Sequence, residues 1–211
     1  MSAATAPLKP RKSPIQDRSA ATVEALHAAT IQVLIREGLG RCTTTRIAAR
    51  AGTSVGSLYQ YYPNRDALLA AILTRHLESV ADTVERTCRE HHGAPVPRAA
   101  ASLVSGFLAA KLSKPAESKA LYAVAEGRGG AVLVARLRER MIKAVAAMLE
   151  SAPDAHFDDP VMTATIALSA LMGPVRTLLE GRAPPGFEAC LEEQLTLLLT
   201  AYFQAHRAGA K

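Results

Sequence analysis

The feature that most constrains the fold is a series of apolar repeats at helical spacing, separated by short stretches that contain Gly or Pro. In about residues 18–37, for example, Leu26 follows Val23 by three residues, and Val33 and Leu34 follow Leu26 by seven and eight, which places all four on one helix face. Similar repeats continue to about residue 206, and the sequence has no alternating segments bounded by hairpin turns. The pattern therefore predicts an all-α protein of about nine helices.

Gly, Pro and small polar residues predict where these helices begin and end. Thr44 and Ser54 are suitable N-caps for two short helices, and Asn64 is a suitable N-cap for a long one. Pro174 lies inside the eighth helix, where we expect a kink or a local end. The predicted helices cover about residues 18–37, 44–51, 55–62, 64–92, 97–112, 115–126, 129–151, 158–181 and 187–206.

The excess positive charge is confined to the first third of the chain. The formal net charge is +6, and residues 1–65 hold nine Lys or Arg against three Asp or Glu, whereas the remainder holds sixteen of each. Residues 1–16 contain Lys9, Arg11 and Lys12 without an apolar repeat, which predicts a flexible basic arm. Such a partition is typical of a domain that binds a polyanion, although a solvated basic surface has the same composition.

Composition excludes several other classes of protein. The longest apolar stretch, from Val161 to Val175, is shorter than the roughly 18–20 residues of a membrane span. Because no apolar run follows the N-terminal Lys and Arg, we expect a cytoplasmic protein with no membrane partner. Cys42, Cys88 and Cys190 are too far apart for a metal motif or a disulfide framework, so we expect buried or half-buried free thiols.

Motifs for catalysis are missing from the sequence. The six histidines are scattered, and neither a serine nucleophile elbow nor a zinc-binding His pair occurs. No Gly-rich phosphate loop follows a predicted strand. We therefore expect no enzyme activity, no catalytic residue, no metal and no cofactor.

The stretch AGTSVGSLYQYYPNRDAL, residues 51–68, joins the second, third and fourth predicted helices. Two short helices connected by a tight turn form a helix-turn-helix, whose second helix can enter the DNA major groove. Small residues at the start of that helix allow close approach to DNA, and Gln60 on the next turn can read an adenine edge. Leu58 and most of Tyr62 are expected in the core. A Tyr-rich helix of this kind can also belong to a core or a protein interface.

The run GSLYQYYPNRDAL, within TTTRIAARAGTSVGSLYQYYPNRDALLAAI, resembles the TetR type of bacterial transcriptional regulator. The resemblance implies an N-terminal three-helix bundle with a helix-turn-helix, followed by a helical domain for effector binding and dimerisation. The corresponding domains are residues 17–77 and 78–211, after the arm of residues 1–16.

The same resemblance implies which residues contact DNA. Val55 departs from the Lys or Arg that many members carry, so it contacts a thymine methyl group or reads no base. Arg18 and the cations of residues 1–16 are candidates for additional contacts. The implied contact residues are Thr44, Thr45, Arg46, Ser54, Val55, Gly56, Ser57, Tyr59, Gln60, Tyr61 and Arg65.

The C-terminal part predicts a dimer and, by the resemblance, an effector cavity. The last two helices are apolar over such wide arcs that they must be covered on more than one side. The interface candidates are Leu168, Leu171, Met172, Val175, Leu195, Leu198, Leu199 and Tyr202. Residues of these types at helical spacing are more often core residues than ligand contacts. The effector-binding candidates are His76, Phe107, Tyr122, Met141, Met148 and Met162.

The expected function is that of a homodimeric, ligand-responsive transcriptional regulator, most often a repressor. Its partners would be a palindromic double-stranded DNA operator and a small-molecule effector that releases the protein from DNA. One alternative is a helical small-molecule-binding protein whose helix-turn-helix no longer reads DNA. Another is an architectural protein that binds DNA without sequence preference.

Overall fold

The computed structural model describes residues 17–127 and 129–205, which form nine α-helices and one short 3-10 helix. The predicted all-α class is therefore confirmed, and each predicted helix end lies within two residues of the observed one. The 3-10 helix, Leu39–Arg41, was not predicted. The expected basic arm, with Lys9, Arg11 and Lys12, lies outside the described residues. The helices are α1 (Asp17–Glu37), α2 (Thr44–Arg50), α3 (Val55–Tyr61), α4 (Arg65–Glu90), α5 (Val96–Leu112), α6 (Pro115–Ala125), α7 (Gly130–Glu150), α8 (Pro160–Leu179) and α9 (Phe187–Gln204).

Side-chain caps begin the three helices around the turn motif. The N-cap of α2 is Thr43 and not Thr44, because the Thr43 hydroxyl oxygen accepts a hydrogen bond from the Arg46 N–H at 3.4 Å. Three consecutive threonines made that choice ambiguous in the sequence. The predicted caps Ser54 and Asn64 are confirmed, since each side-chain oxygen accepts a hydrogen bond from the N–H three residues later, at 3.0 and 2.8 Å.

Helix α8 does not end at Pro174 but continues to Leu179, so of the two outcomes expected at this proline the local end is wrong. A proline inside a helix removes one hydrogen bond and costs about 3 kcal/mol. The flanking residues Leu171 and Val175 are fully buried. Burial of two aliphatic side chains, worth roughly 1.5–3 kcal/mol each, is enough to offset that cost.

Helix α8 is also the one described helix that is long and apolar enough to cross a membrane, judged by length and composition alone. Its most apolar window has a mean hydropathy of 1.3. However, Ala164, Ala167, Leu168 and Leu171 lie at helical spacing and are buried against the rest of the protein. This one-sided burial is the pattern of a helix at the edge of a protein core.

The chain divides into two compact units. The first contains residues up to His76 together with Ala116–Val134, and the second contains Leu77–Pro115 together with the residues from Ala135 onward. The division between His76 and Leu77 lies one residue before the domain boundary that was expected from the sequence, between residues 77 and 78. Residues 116–134 were expected in the second domain, but in the structure Leu121 and Val124 of α6 are buried as part of the first unit.

In the first unit, α1 packs against α2, and α2 packs against α3. Leu26, Ile47, Leu58 and Leu68, from α1 to α4 respectively, have fully buried side chains. Tyr62, at the C-terminal end of α3, is 3% exposed. The prediction that Leu58 and Tyr62 belong to the core is therefore confirmed, and these contacts fix the orientation of α3.

In the second unit, α5 packs along α9, and α8 contacts both helices. Phe107 of α5 and Phe203 of α9 are fully buried, and Phe157 meets the Phe203 ring edge to face at 6.1 Å. Helices α4 and α5 approach closely at Gly106, where a Cβ atom would lie only 2.6 Å from the Thr87 hydroxyl oxygen. Glycine at position 106 therefore permits this helix crossing.

The three cysteines are free thiols in the structure. Cys42 and Cys88 are buried as expected, and burial raises the pKa of both, that of Cys88 to about 12. Cys190 is exposed, contrary to the expectation, because it lies on the solvent side of the first turns of α9. Among residues 17–127 and 129–205, no group of three or more His, Cys, Asp and Glu side chains is placed to hold a metal ion.

Candidate nucleic-acid interface

The turn between α2 and α3 is closed by a glycine in the left-handed conformation. Gly52 has φ of +65°, and its N–H donates to the Ala49 carbonyl oxygen at 3.3 Å. The Thr53 N–H donates to the Ala48 carbonyl oxygen at 3.0 Å. This pair of hydrogen bonds is a Schellman motif, which ends α2 and lets α3 begin after only four intervening residues.

Helix α3 presents its polar side chains outward because Leu58 anchors its other face. Leu58 is fully buried, whereas Gly56 and Gln60 are exposed and Tyr59 is 41% exposed. The remaining predicted contact residues of α3 are half-buried: Val55, Ser57 and Tyr61. The absence of a side chain at Gly56 leaves the helix backbone open to a close approach by DNA.

Two arginines among the predicted DNA contacts already have acidic partners. Arg46 forms an ion pair with Glu37, and Arg65 donates to an Asp66 carboxylate oxygen at 3.0 Å. Both arginine side chains are at least 40% exposed. Exposed ion pairs of this kind contribute about 0–1 kcal/mol, so DNA phosphates can replace the carboxylates at little cost.

Two hydroxyl groups at the interface are also bonded within the protein. The Ser57 hydroxyl oxygen lies 2.9 Å from that of Ser54, and the Ser19 hydroxyl donates to Tyr61 Oη at 3.1 Å. The second contact connects the end of α3 to the first turn of α1. The hydroxyl groups of Ser57 and Tyr61 therefore help to position α3, in addition to being candidates for contacts with DNA.

Thr45, Tyr59 and Gln60 differ from these residues because they form no side-chain hydrogen bond or ion pair with any other described residue. Thr45 and Gln60 are exposed, and more than a third of Tyr59 is exposed. Their polar groups are therefore available without breaking an internal contact. Gln is suited to bidentate recognition of adenine, and Tyr to contacts with phosphate.

A hydrogen-bond network behind α3, buried at His27 and Tyr62, holds its last turn. His27 Nε2 lies 2.6 Å from Tyr62 Oη, and Arg75 Nη1 lies 3.5 Å from His27 Nδ1. Because a guanidinium group only donates, Nδ1 is the acceptor and the Nε2–H donates to Tyr62. Arg75 also donates to Glu24 at 2.6 Å, so the network connects α1, the end of α3 and α4.

This network predicts a loss of stability in mild acid. Burial, together with the nearby Arg75, lowers the pKa of His27 below its usual value of 6.5, and Glu24 opposes the shift. As the pH falls through 6.5, the unfolded chain binds a proton at His27 before the folded protein does. We therefore expect the free energy of unfolding to fall from pH 6.5 down to the lowered pKa, as measured by urea denaturation.

The variant His27→Gln is the control for this prediction. Its side-chain N–H can still donate to Tyr62, but the side chain cannot be protonated. The variant should lack the part of the pH dependence that His27 causes. The prediction fails if the free energies of unfolding of both proteins change equally between about pH 7.5 and pH 5.5. This range lies above the pKa of Glu24, which Arg75 lowers from 4.5.

Sequence reasoning did not identify every residue that supports the interface. His27 and Tyr62 are 35 residues apart, so no local pattern connects them. Arg50, at the end of α2, is exposed and donates to Gln32 at 2.5 Å, which adds a cation near the predicted contacts. The only available signal for Arg50 was its position in the basic first third of the chain.

Comparison with known proteins identifies the family. Residues 26–72, which include α2, the turn and α3, match the sequence profile described as "Bacterial regulatory proteins, tetR family". Residues 95–203, more than half of the chain, match the profile described as "Tetracyclin repressor-like, C-terminal domain". The chain belongs to the TetR family. It is therefore a helix-turn-helix transcription regulator.

Solved structures of other TetR-family proteins share the fold of this chain. A TetR-family transcriptional regulator from Mesorhizobium loti superposes with a TM-score of 0.75 over 92% of this chain and 100% of its own, at 17% identity. SmeT, the repressor of the Stenotrophomonas maltophilia multidrug efflux pump SmeDEF, gives a TM-score of 0.67 over 90% and 94% of the two chains, at 18% identity. At these identities the similarity establishes the fold alone.

The nucleoid occlusion factor SlmA of Pasteurella multocida is a relative by sequence. It is 33% identical to this TetR-family chain over 92 residues, which are 40% of this chain. The match spans 45% of SlmA, less than half of that protein. The comparison therefore covers only part of each molecule.

The six predicted effector residues of this TetR-family chain are divided between the two units. In the first unit, His76 Nδ1 lies 3.7 Å from a Glu117 carboxylate oxygen, and Tyr122 is half-buried on α6. In the second unit, Met162 is 55% exposed on α8, whereas the other three residues are buried: Phe107, Met141 and Met148. Lys111, which was not predicted, is a buried cation of the second unit, and desolvation lowers its pKa to about 8.

The predicted interface residues of α8 and α9 lie mostly inside their own unit. Five of the eight are at most 3% exposed and therefore pack in the core, namely Leu168, Leu171, Val175, Leu195 and Leu199. Tyr202 is half-buried, and Met172 and Leu198 are exposed. Helical periodicity shows that both helices have wide apolar arcs, but it does not show which part of each arc faces inward.

Proposed function

We propose that this TetR-family chain is a homodimeric, non-enzymatic repressor in the cytoplasm that binds a palindromic operator and is released by a small-molecule effector. The observation that carries the proposal is the outward face of α3, where Tyr59 and Gln60 have no side-chain partner among residues 17–127 and 129–205. The fully buried Leu58 anchors the opposite face. Family membership supports DNA binding, and the match of residues 95–203 to the tetracyclin repressor-like profile supports repression.

A patch of exposed apolar side chains on α8 and α9 supports the dimer. Six of the nine large apolar side chains that are exposed in the described residues belong to these two helices: Val161, Met162, Ile166, Met172, Leu197 and Leu198. Concentration of such residues on two adjacent helices is characteristic of a protein interface. A twofold dimer would present two copies of α3 to successive half-sites, about one DNA turn apart.

Helix α4 is the element through which an effector would act. Its residues belong to both compact units, with the division after His76. An effector that binds better to one arrangement of the dimer would change the spacing of the two copies of α3. A coupling free energy of about 1–3 kcal/mol, typical of allosteric proteins, would lower operator affinity by roughly 5- to 150-fold.

The proposal is tested by binding the purified protein to the DNA upstream of its own coding region and to random duplex at two salt concentrations. We expect the upstream fragment to bind more tightly by about 10³-fold or more. Both affinities should fall steeply between about 50 and 200 mM salt, because phosphate contacts release counterions. Equal affinity for upstream and random DNA would contradict operator recognition in that fragment.

The alternative is a small-molecule-binding protein whose helix-turn-helix no longer reads DNA. The observation in its favour is Val55, a half-buried apolar residue at the first position of α3. This alternative predicts no preference for any duplex, even in a selection from a random DNA library. Recovery of a palindromic sequence from such a selection would exclude it.

A further inference from the structure

A groove of about 390 Å³ lies within the second unit, between the last turns of α4 and the C-terminal half of α7. Its apolar floor contains Cys88 and Met148, which are 3% and 1% exposed. On the α7 side it is lined by Ala144 and Ala147, one helical turn apart. The volume is within the range of small-molecule sites, and the small alanine side chains keep the groove open.

Basic side chains surround this apolar floor. Arg89, Arg140 and Lys143 line the groove, together with His92, and Glu85 is the acidic side chain that lines it. Two of these cations, Arg140 and Lys143, are paired with carboxylates on or beside the groove, so the positive charge left for a ligand is that of Arg89. A ligand that fits both features must combine an apolar body with a negative charge.

The cations differ in how fully they are neutralised by the protein. Arg140 donates to the two Glu85 carboxylate oxygens at 2.9 and 2.8 Å and to Asp82 at 2.8 Å. Lys143 pairs with Glu139 at 2.7 Å. Arg89, by contrast, is exposed and forms no side-chain hydrogen bond or ion pair with another described residue.

We propose that the groove binds a small amphipathic monoanion, a carboxylate with an aliphatic tail. The carboxylate would pair with Arg89, and the tail would lie over Cys88 and Met148. The role of this ligand as the effector rests on the function proposed above. Its binding to the groove does not depend on that function. Met148 was also predicted from the sequence as an effector-binding residue.

Other ligand chemistries fit the groove less well. A neutral apolar molecule would make no ion pair with the Arg89 guanidinium, and an organic cation would be repelled by it. A compact inorganic anion would not cover the apolar floor. Burial raises the pKa of Cys88 to about 12, so the thiol stays neutral at physiological pH and does not repel a carboxylate.

The first test is calorimetric titration of the full-length protein with three probes that share one tail: decanoate, decanol and decyltrimethylammonium. Decanoate should bind at least about tenfold more tightly than decanol, because a charge-assisted hydrogen bond to Arg89 is lost in the alcohol. The quaternary ammonium probe should bind most weakly. Shorter carboxylates should lose about three- to fourfold in affinity for each methylene removed. Equal affinity for decanoate and decanol would overturn the proposal.

Two variants with matched controls locate the site. Arg89→Gln should weaken decanoate binding about tenfold, whereas Arg86→Gln, at an exposed arginine outside the groove on the same helix, should not. Ala147→Leu should fill the groove and weaken all binding, whereas Ala131→Leu, at another exposed alanine of α7, should not. Melting curves check that each variant folds. Unchanged decanoate binding in both Arg89→Gln and Ala147→Leu would overturn the assignment.

DNA binding is measured separately so that the two proposals can fail independently. Decanoate that binds the groove and lowers operator affinity supports the groove as the effector site. Decanoate that binds the groove without changing operator affinity supports the binding site and overturns its role as an effector site. A protein that binds no specific DNA but still binds decanoate overturns the proposed function and leaves the groove assignment in place.

Discussion

Ile166→Glu combined with Leu197→Glu is expected to convert the proposed dimer into monomers. Ile166 is 45% exposed and Leu197 62% exposed within one chain, and neither belongs to the fully buried core. Both positions would be buried in the dimer interface. Burial of each introduced glutamate carboxylate without a partner would cost several kcal/mol. Light scattering after size exclusion should then give the mass of a single chain, 22.3 kDa.

Loss of the dimer should have a larger effect on operator binding than any single DNA contact. Two linked helix-turn-helix units bind a palindrome more tightly than one unit, because the second contact is made at a high effective concentration. Operator affinity of the double variant should fall by about 10²- to 10⁴-fold. Affinity for an isolated half-site should be nearly unchanged, and competition binding with palindrome and half-site fragments measures both.

Val132→Glu is the matched control for this prediction. Val132 is the most exposed large apolar side chain among the described residues, at 73%, but it belongs to the first unit and lies on α7. This variant should keep the mass of the parent protein and its affinity for the palindrome. A parent protein that is already monomeric, or a double variant that remains dimeric, would refute the proposed interface.

The sequence predicted the helices well because each helix end depends on local chemistry. The Gly52 turn, the Ser54 and Asn64 caps, and the spacing of apolar residues all act within a few residues of one another. The same local information predicted that Leu58 faces the core and that Gln60 faces outward. Both predictions concern the face of a single short helix.

Features that depend on distant parts of the chain were not predictable in this way. The sequence did not indicate that α6 joins the first unit or that His27 meets Tyr62, because neither contact has a local signature. On α8, Leu168 and Leu171 were indistinguishable by apolarity from the exposed Ile166. Only packing against α5 and α9 determines which of these side chains the protein covers itself.

Replacing both Tyr59 and Gln60 by alanine should remove operator selectivity while leaving the fold intact. Both side chains are exposed and have no partner in the part of the chain that the structure describes, so we expect the melting temperature to change little. Each lost contact to a base edge or its phosphate costs about 1–3 kcal/mol. Operator affinity should therefore fall by roughly 10²-fold or more, toward the affinity for random duplex.

A second variant distinguishes lost sequence reading from lost charge. Arg46→Ala removes an exposed cation whose partner is Glu37, so it should weaken binding to all duplexes alike and reduce the slope of log affinity against log salt by about one. Tyr59→Ala with Gln60→Ala should leave that slope almost unchanged. If the variant with both Tyr59 and Gln60 replaced keeps the ratio of operator affinity to random-duplex affinity that the parent protein has, α3 does not read bases. In that case specificity must come from DNA shape or another element.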